Sequence, residues 1–274
     1  KSDINNMNNM NNMNNTNGNY RCIRTIKGHT DKIASLTLLS SGKLASGSYD
    51  STIRIWDLDN GECEKIINEN GIVLCLLEFE NNMILSGSST NNIQLWDISN
   101  SYNQNLYTYE GHLLWVNCLV KCSPKYFASC SNDHEIRIWD YYNKRSISVL
   151  RGHDDCVLGL ALLKDGRLCS GGSDSTIKIW NWELNSCDMT LTGHSKWVKC
   201  VCELNNGYII SGSDDTTIKV WQTHSNNAIK TLNGHKKSVR VLCQLDDGNF
   251  ASGSFDKTIK IWNGNSLVCI DTIN

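Results

Sequence analysis

The chain has 274 residues, 40% of them apolar, and a formal net charge of −2 from 26 basic and 28 acidic side chains. That length allows one or two domains with a sizeable core, and the near-neutral balance lacks the basic footprint of a general nucleic-acid binder. No apolar run approaches the ~18 residues of a membrane-spanning helix, and 13 cysteines without a secretory signal argue against a disulfide framework and for a reducing compartment, cytoplasm or nucleus.

Residues 1–19 are a low-complexity Asn/Met tract with no aromatic residue. So few apolar side chains cannot offset the entropy of ordering, and the tract is expected to be a disordered tail. Because the chain opens on Lys1, it is also expected to be a piece of a longer protein.

From Tyr20 onward a period takes over. Trp56, Trp96, Trp139, Trp180, Trp221 and Trp262 are spaced by 40, 43, 41, 41 and 41 residues. Gly28-His29, Gly111-His112, Gly152-His153, Gly193-His194 and Gly234-His235 keep the same beat. Each unit reads as strand, Gly-His turn, strand, loop, strand, tight turn, strand, from period-2 alternation broken by turn residues. In the fourth unit residues 157–163 are the innermost strand, 168–172 the next, and 176–180 the third, closing on Trp180. The single proline, Pro124, falls in a loop of unit three, where it removes no ladder donor. Most cysteines, such as Cys118, Cys200, Cys202 and Cys243, sit inside strand patterns as small hydrophobes. Cys118 and Cys122 are the nearest approach to a metal pair, and no second pair matches them. No metal, cofactor or catalytic residue is therefore expected.

A period of 40 to 45 residues with this signature marks propellers of four-stranded blades. The chain resembles the WD-repeat β-propeller family over residues 20–274, which implies an all-β fold with six WD units visible. In that family each repeat begins with the outer strand of the preceding blade, and both chain ends close the last blade. Residues 21–26 would then be the outer strand of the final blade, whereas residues 267–272 are another outer strand, belonging to blade six. A seven-bladed parent lacking three strands accounts for this count. A complete six-bladed ring with a spare strand is the alternative.

The resemblance implies a hydrogen-bonded tetrad of His, Ser, Asp and Trp in each regular blade. The sets are His29, Ser46, Asp50 and Trp56; His112, Ser129, Asp133 and Trp139; His153, Ser170, Asp174 and Trp180; His194, Ser211, Asp215 and Trp221; and His235, Ser252, Asp256 and Trp262. A nucleophilic triad occurs once, beside an oxyanion hole, so five copies at one period speak for a scaffold device. Unit two has Glu69 in place of His and Thr90 in place of Asp, so no network is expected there and that blade should be the softest. His134 in a tight turn and His224 in a loop fall outside the tetrads and lack an evident third ligand partner.

Partners of the family commonly dock on the face that carries the Gly-His turns. The informative positions are three and five residues after His, and the residue before the tetrad Asp. They include Lys32, Tyr49, Trp115, Asn117, Trp197, Lys199, Arg240 and Phe255, with Lys237 alongside. Aromatic and Arg side chains dominate binding hot spots, although each Trp could instead pack over its neighbouring blade. Lys196, Lys199, Lys236, Lys237 and Arg240 cluster on units five and six. Such a patch is either a solvated basic edge or the seat of an acidic or phosphorylated peptide segment. The expected function is a non-catalytic protein–protein interaction scaffold that recruits other proteins or peptide segments, with no small-molecule substrate, membrane span or nucleic acid. The alternative is the targeting domain of a larger enzyme, such as a ubiquitin-ligase subunit or kinase.

Overall fold

The computed structural model describes residues 20, 22–99, 102, 104–223 and 225–274. The tail expected over residues 1–19 lies outside them. Among the described residues there is no helix; all regular structure is strand.

The strands form six four-stranded antiparallel blades, each built from strands consecutive in sequence. Blade one holds β1 (Ile33–Leu38), β2 (Leu44–Ser48), β3 (Thr52–Trp56) and β4 (Cys63–Asn68). Blade two holds β5 (Val73–Glu80), β6 (Met83–Ser88), β7 (Ile93–Asp97) and β8 (Gln104–Tyr109). Blade three holds β9 (Val116–Lys121), β10 (Tyr126–Ser131), β11 (Ile136–Asp140) and β12 (Arg145–Leu150). Blade four holds β13 (Val157–Leu162), β14 (Leu168–Gly172), β15 (Ile177–Asn181) and β16 (Ser186–Leu191). Blade five holds β17 (Val198–Glu203), β18 (Ile209–Ser213), β19 (Ile218–Trp221) and β20 (Lys230–Leu232). Blade six holds β21 (Val239–Gln244), β22 (Phe250–Ser254), β23 (Ile259–Trp262) and β24 (Cys269–Ile273).

Six blades is the count of the six-bladed alternative, and β24 is the outer strand of blade six as the sequence indicates. The strand expected over residues 21–26 does not form: residues 22–29 carry no strand and join no sheet, while Arg21 lies outside the described residues. The reason is the absence of a neighbour. A strand needs a ladder partner, and a lone β segment is not stable in water.

Five apolar clusters form the core, and each is sandwiched between consecutive blades. One, for example, joins Ile218 and Leu232 of blade five to Val239 and Phe250 of blade six. A blade's two faces are too apolar to leave in water, so each blade depends on its neighbours. At about 1.5–3 kcal/mol for each fully buried large apolar side chain, Ile53, Ile93, Ile136, Ile177 and Ile218, all 0% exposed, hold the stack together.

The inner edge of every blade carries the same irregularity. In blade five Val198 pairs with Ser213 and Cys200 with Gly212, so Lys199 has no register partner. The corresponding extra residues are Ala34, Leu74, Asn117, Leu158 and Arg240. These are β-bulges, which lift one residue off the ladder and re-aim its side chain.

Candidate partner-binding face

Two of the three sequence positions expected to face a partner are joined in every blade. The backbone N–H of the residue before the tetrad Asp donates to the carbonyl of the residue three after His. The pairs are Tyr49 to Lys32, Ser89 to Ile72, Asn132 to Trp115, Ser173 to Cys156, Asp214 to Trp197 and Phe255 to Ser238, at 2.8–3.0 Å. In blades three, five and six the bulge residue reaches the same spot. Asn117 Nδ2 donates to Asn132 Oδ1 at 2.7 Å, and Lys199 Nζ lies 3.5 Å from Asp214 Oδ2. The Arg240 guanidinium sits 4.7 Å from the centroid of the Phe255 ring.

Cation–ring contacts recur here. Lys32 Nζ lies 5.6 Å from the Tyr49 ring, and Lys199 Nζ lies 4.2 Å from the Trp197 ring. Such contacts are worth roughly 0.5–1 kcal/mol at exposed sites. Desolvation, and then the charge of Arg240, depress the Lys199 ammonium pKa, while Asp214 opposes the shift. Trp115, Trp197 and Phe255 remain 40%, 48% and 60% exposed, and Lys32, Lys237 and Arg240 are exposed as well. Both tryptophans thus keep a substantial part of their surface in water.

Between blades four and five lies an open pocket of ≈ 290 Å³ lined by Ser173, Ser175, Ser195, Lys196, Trp197 and Asp214. Ser173 is 7% exposed, and its Oγ has no hydrogen-bond partner among the described residues. A buried hydroxyl without a partner is a standing cost that a ligand atom can remove.

Beneath this face lie the tetrads. In all five sets His Nδ1 is 2.7–2.9 Å from Asp Oδ2 and His Nε2 is 2.7 Å from Ser Oγ. The indole N–H of each Trp donates to that same Ser Oγ at 2.7–2.8 Å. A carboxylate only accepts, so Nδ1–H donates to it; Ser Oγ accepts from the indole and donates to Nε2. The N–H of the residue after His, such as Leu113, also donates to the Asp. Burial alone would raise the Asp133 carboxyl, but His112 and the Leu113 N–H outweigh it and hold the pKa at about 2. The same opposition depresses Asp50, Asp174, Asp215 and Asp256.

Blade two corrects the expectation of no network. Glu69, 7% exposed, accepts from the Ser86 hydroxyl and from the Trp96 indole N–H at 3.3 Å. Trp96 also donates to Ser86 Oγ at 2.9 Å. A carboxylate oxygen can thus stand in for the imidazole as acceptor from Ser, and here it reaches the Trp indole as well. The link to the tight turn is missing, because Thr90 bonds Ser88 instead. The second Glu69 oxygen is buried without a partner, and burial pushes its pKa up.

His134 also departs from expectation. It is an exposed turn residue in the left-handed region (φ 71°), yet its ring nitrogen, an Asp155 oxygen and the Cys156 sulfur lie within 4.8 Å of one another. The trio spans blades three and four, which sequence spacing does not reveal. It could offer three ligand atoms to a soft divalent cation. Burial, reinforced by Asp155, raises the Cys156 thiol pKa, away from the thiolate that metals bind. His224 lies outside the described residues.

The repeated four-stranded blades, inward bulges and buried tetrads define a β-propeller of the repeat class. Five stretches, residues 20–57, 103–140, 144–181, 185–222 and 226–263, match the family described as WD domain, G-beta repeat, and the chain belongs to that family. The long internal gap between the first two matches falls on unit two, where Glu69 and Thr90 break the tetrad.

Among its relatives is a ribosome biogenesis protein WDR12 homolog of Anopheles gambiae, 30% identical over 154 residues, covering 54% of this chain and 36% of that protein. The small ribosomal subunit protein RACK1y of Oryza sativa subsp. japonica is 35% identical over 161 residues, covering 54% and 47%. Mitochondrial division protein 1 of Saccharomyces cerevisiae is 31% identical over 136 residues, covering 50% of this chain but 16% of that protein. The matched region thus spans less than half the length of these curated relatives.

Proposed function

We propose that the protein is a non-catalytic interaction scaffold that takes up an acidic or phosphorylated peptide segment on its Gly-His face. The observation that carries this reading is the pocket between blades four and five. Trp197 gives it an apolar wall, Lys196 a cation, and the buried Ser173 hydroxyl an unused donor. Lys199 and Arg240 extend the positive field toward blade six, with Lys236 and Lys237 beside them. Charge-assisted hydrogen bonds from such groups are about twice as strong as neutral ones. The tetrads support a structural role for their serines: each Oγ is buried and engaged on both sides. Thirteen thiols, none paired in a disulfide, are in keeping with a reducing compartment.

The test is a peptide array carrying matched acidic, phosphorylated and basic segments. It compares the protein with the triple variant Trp115→Ala, Trp197→Ala and Arg240→Ala at equal melting temperature. Retention of acidic and phosphorylated peptides by the unmodified protein, and their loss from the variant, is expected. Equal retention by both proteins moves recognition to another surface.

A further inference from the structure

The tight turn of one blade reaches the Gly-His turn that leads into the next. Its tip is the residue after the tetrad Asp, or after Thr90 in blade two, and in every blade that residue has a left-handed φ of 63–75°. Asn91 Nδ2, at the tip in blade two, donates to the Leu113 carbonyl at the entry to blade three at 3.0 Å. Ser175, at the tip in blade four, shares a pocket with Lys196 and Trp197 at the entry to blade five.

Between blades three and four the same meeting has a different chemistry. The tip is His134, and it faces Asp155 and Cys156, the second and third residues after His153. One imidazole nitrogen, one carboxylate oxygen and the thiol sulfur lie within 4.8 Å of one another, with His134 Nε2 4.0 Å from Asp155 Oδ1. None of the other four junctions between consecutive blades places a His, Cys, Asp or Glu at any of these three positions.

The donors are already partly ordered. Asp155 Oδ1 accepts from the Cys156 N–H at 2.7 Å, which fixes the carboxylate. Cys156 Sγ lies 3.5 Å from the Asn132 carbonyl oxygen, so the sulfur hangs over the turn that carries His134. The His134 and Asp155 side chains are each 47% exposed and open to water. Lys199, whose charge reaches Cys156, is paired with Asp214.

We propose that His134, Asp155 and Cys156 bind one zinc ion, which clips blade three to blade four and keeps a position open to water on the Gly-His face. Zinc takes thiolate, imidazole and carboxylate donors at about 2.0–2.3 Å, which sets tetrahedral ligand atoms roughly 3.3–3.8 Å apart. Rotation of the two exposed side chains by about 1 Å closes the remaining gap. The mixed S, N and O set favours zinc over magnesium or calcium, which take oxygen alone. Without metal, burial and then Asp155 raise the Cys156 thiol pKa. A coordinated divalent cation outweighs both, and the thiol proton passes to water as the sulfur–zinc bond forms. The site does not rest on the peptide reading, because none of its three residues lines the pocket between blades four and five.

The experiment titrates cobalt(II), and then zinc, into the reduced, chelator-treated full chain. One cobalt per chain is expected, with the charge-transfer band of a thiolate ligand, and zinc should bleach that band. Cys156→Ser is expected to lose the band. His134→Asn keeps a residue that tolerates the left-handed turn and should weaken zinc binding by at least about tenfold, the loss that even an outer-shell partner brings. Zinc should raise the melting temperature of the unmodified protein and not that of either variant, with circular dichroism of the metal-free proteins matching throughout. Absence of stoichiometric binding overturns the proposal. So does a band that survives Cys156→Ser, or one lost instead from Cys187→Ser, which removes an exposed thiol on β16.

Discussion

Lys199 holds its ammonium 4.2 Å from the ring of Trp197, and it can do so because a bulge lifts it off the β17–β18 ladder. The exposed indole is thereby charged on one face, which fits a partner that is both apolar and anionic. Lys199→Glu is expected to weaken acidic-peptide binding on the order of tenfold, about 1.4 kcal/mol. Its melting temperature should fall as well, because the new carboxylate meets Asp214 at a largely desolvated position. Titration by tryptophan fluorescence measures the first quantity and calorimetry the second; an unchanged melting temperature would show that the Lys199–Asp214 pair adds nothing to stability.

His194 joins Asp215 to Ser211, and Ser211 carries the Trp221 indole. His194→Ala leaves two buried polar groups short of a partner, so destabilisation of about 1–3 kcal/mol is expected. Urea unfolding with tryptophan detection provides the check. An unmoved midpoint would contradict the stabilising role of the network.

Asp133 has its folded pKa depressed to about 2, below the ~3.9 of an unfolded Asp. A depressed carboxyl contributes stability above the unfolded pKa and loses it as pH falls through the folded one. Asp50, Asp174, Asp215 and Asp256 shift the same way. Unfolding free energy should therefore fall steeply between about pH 4 and pH 2, and Asp133→Asn should flatten that slope. Denaturation curves collected across this window decide the point.

Glu69 runs opposite. Burial raises its pKa, so its contribution is present below the unfolded carboxyl value and is lost as pH rises through the folded one. Glu69→Gln, which keeps an acceptor and removes the charge, is expected to stabilise the protein at pH 7 and to have little effect near pH 4. Paired melting curves at those two pH values suffice; equal shifts at both would place the Glu69 effect in packing rather than charge.

The blades were legible because the Trp spacing and the Gly-His beat report the strand order directly. All the partner-face positions but Lys237 could be written down from their offset to the tetrad His or Asp, but not their mutual contacts. A one-residue bulge is invisible in the sequence, and it alone brings Lys199 to Asp214 and Asn117 to Asn132. The Glu69 network was missed because an imidazole and a carboxylate look unlike in sequence yet both accept from the Ser hydroxyl that carries the Trp indole. His134 meets Asp155 and Cys156 across two blades, and proximity between blades is set by packing rather than by period.

The bulge has one more consequence. Ala34, Leu74, Asn117, Leu158, Lys199 and Arg240 occupy the same geometric post, yet share no chemistry. A residue off the ladder can change from methyl to guanidinium without rewriting the strand beneath it. The fold thus carries six replaceable letters on an unchanging line, and selection can respell the message without resetting the type.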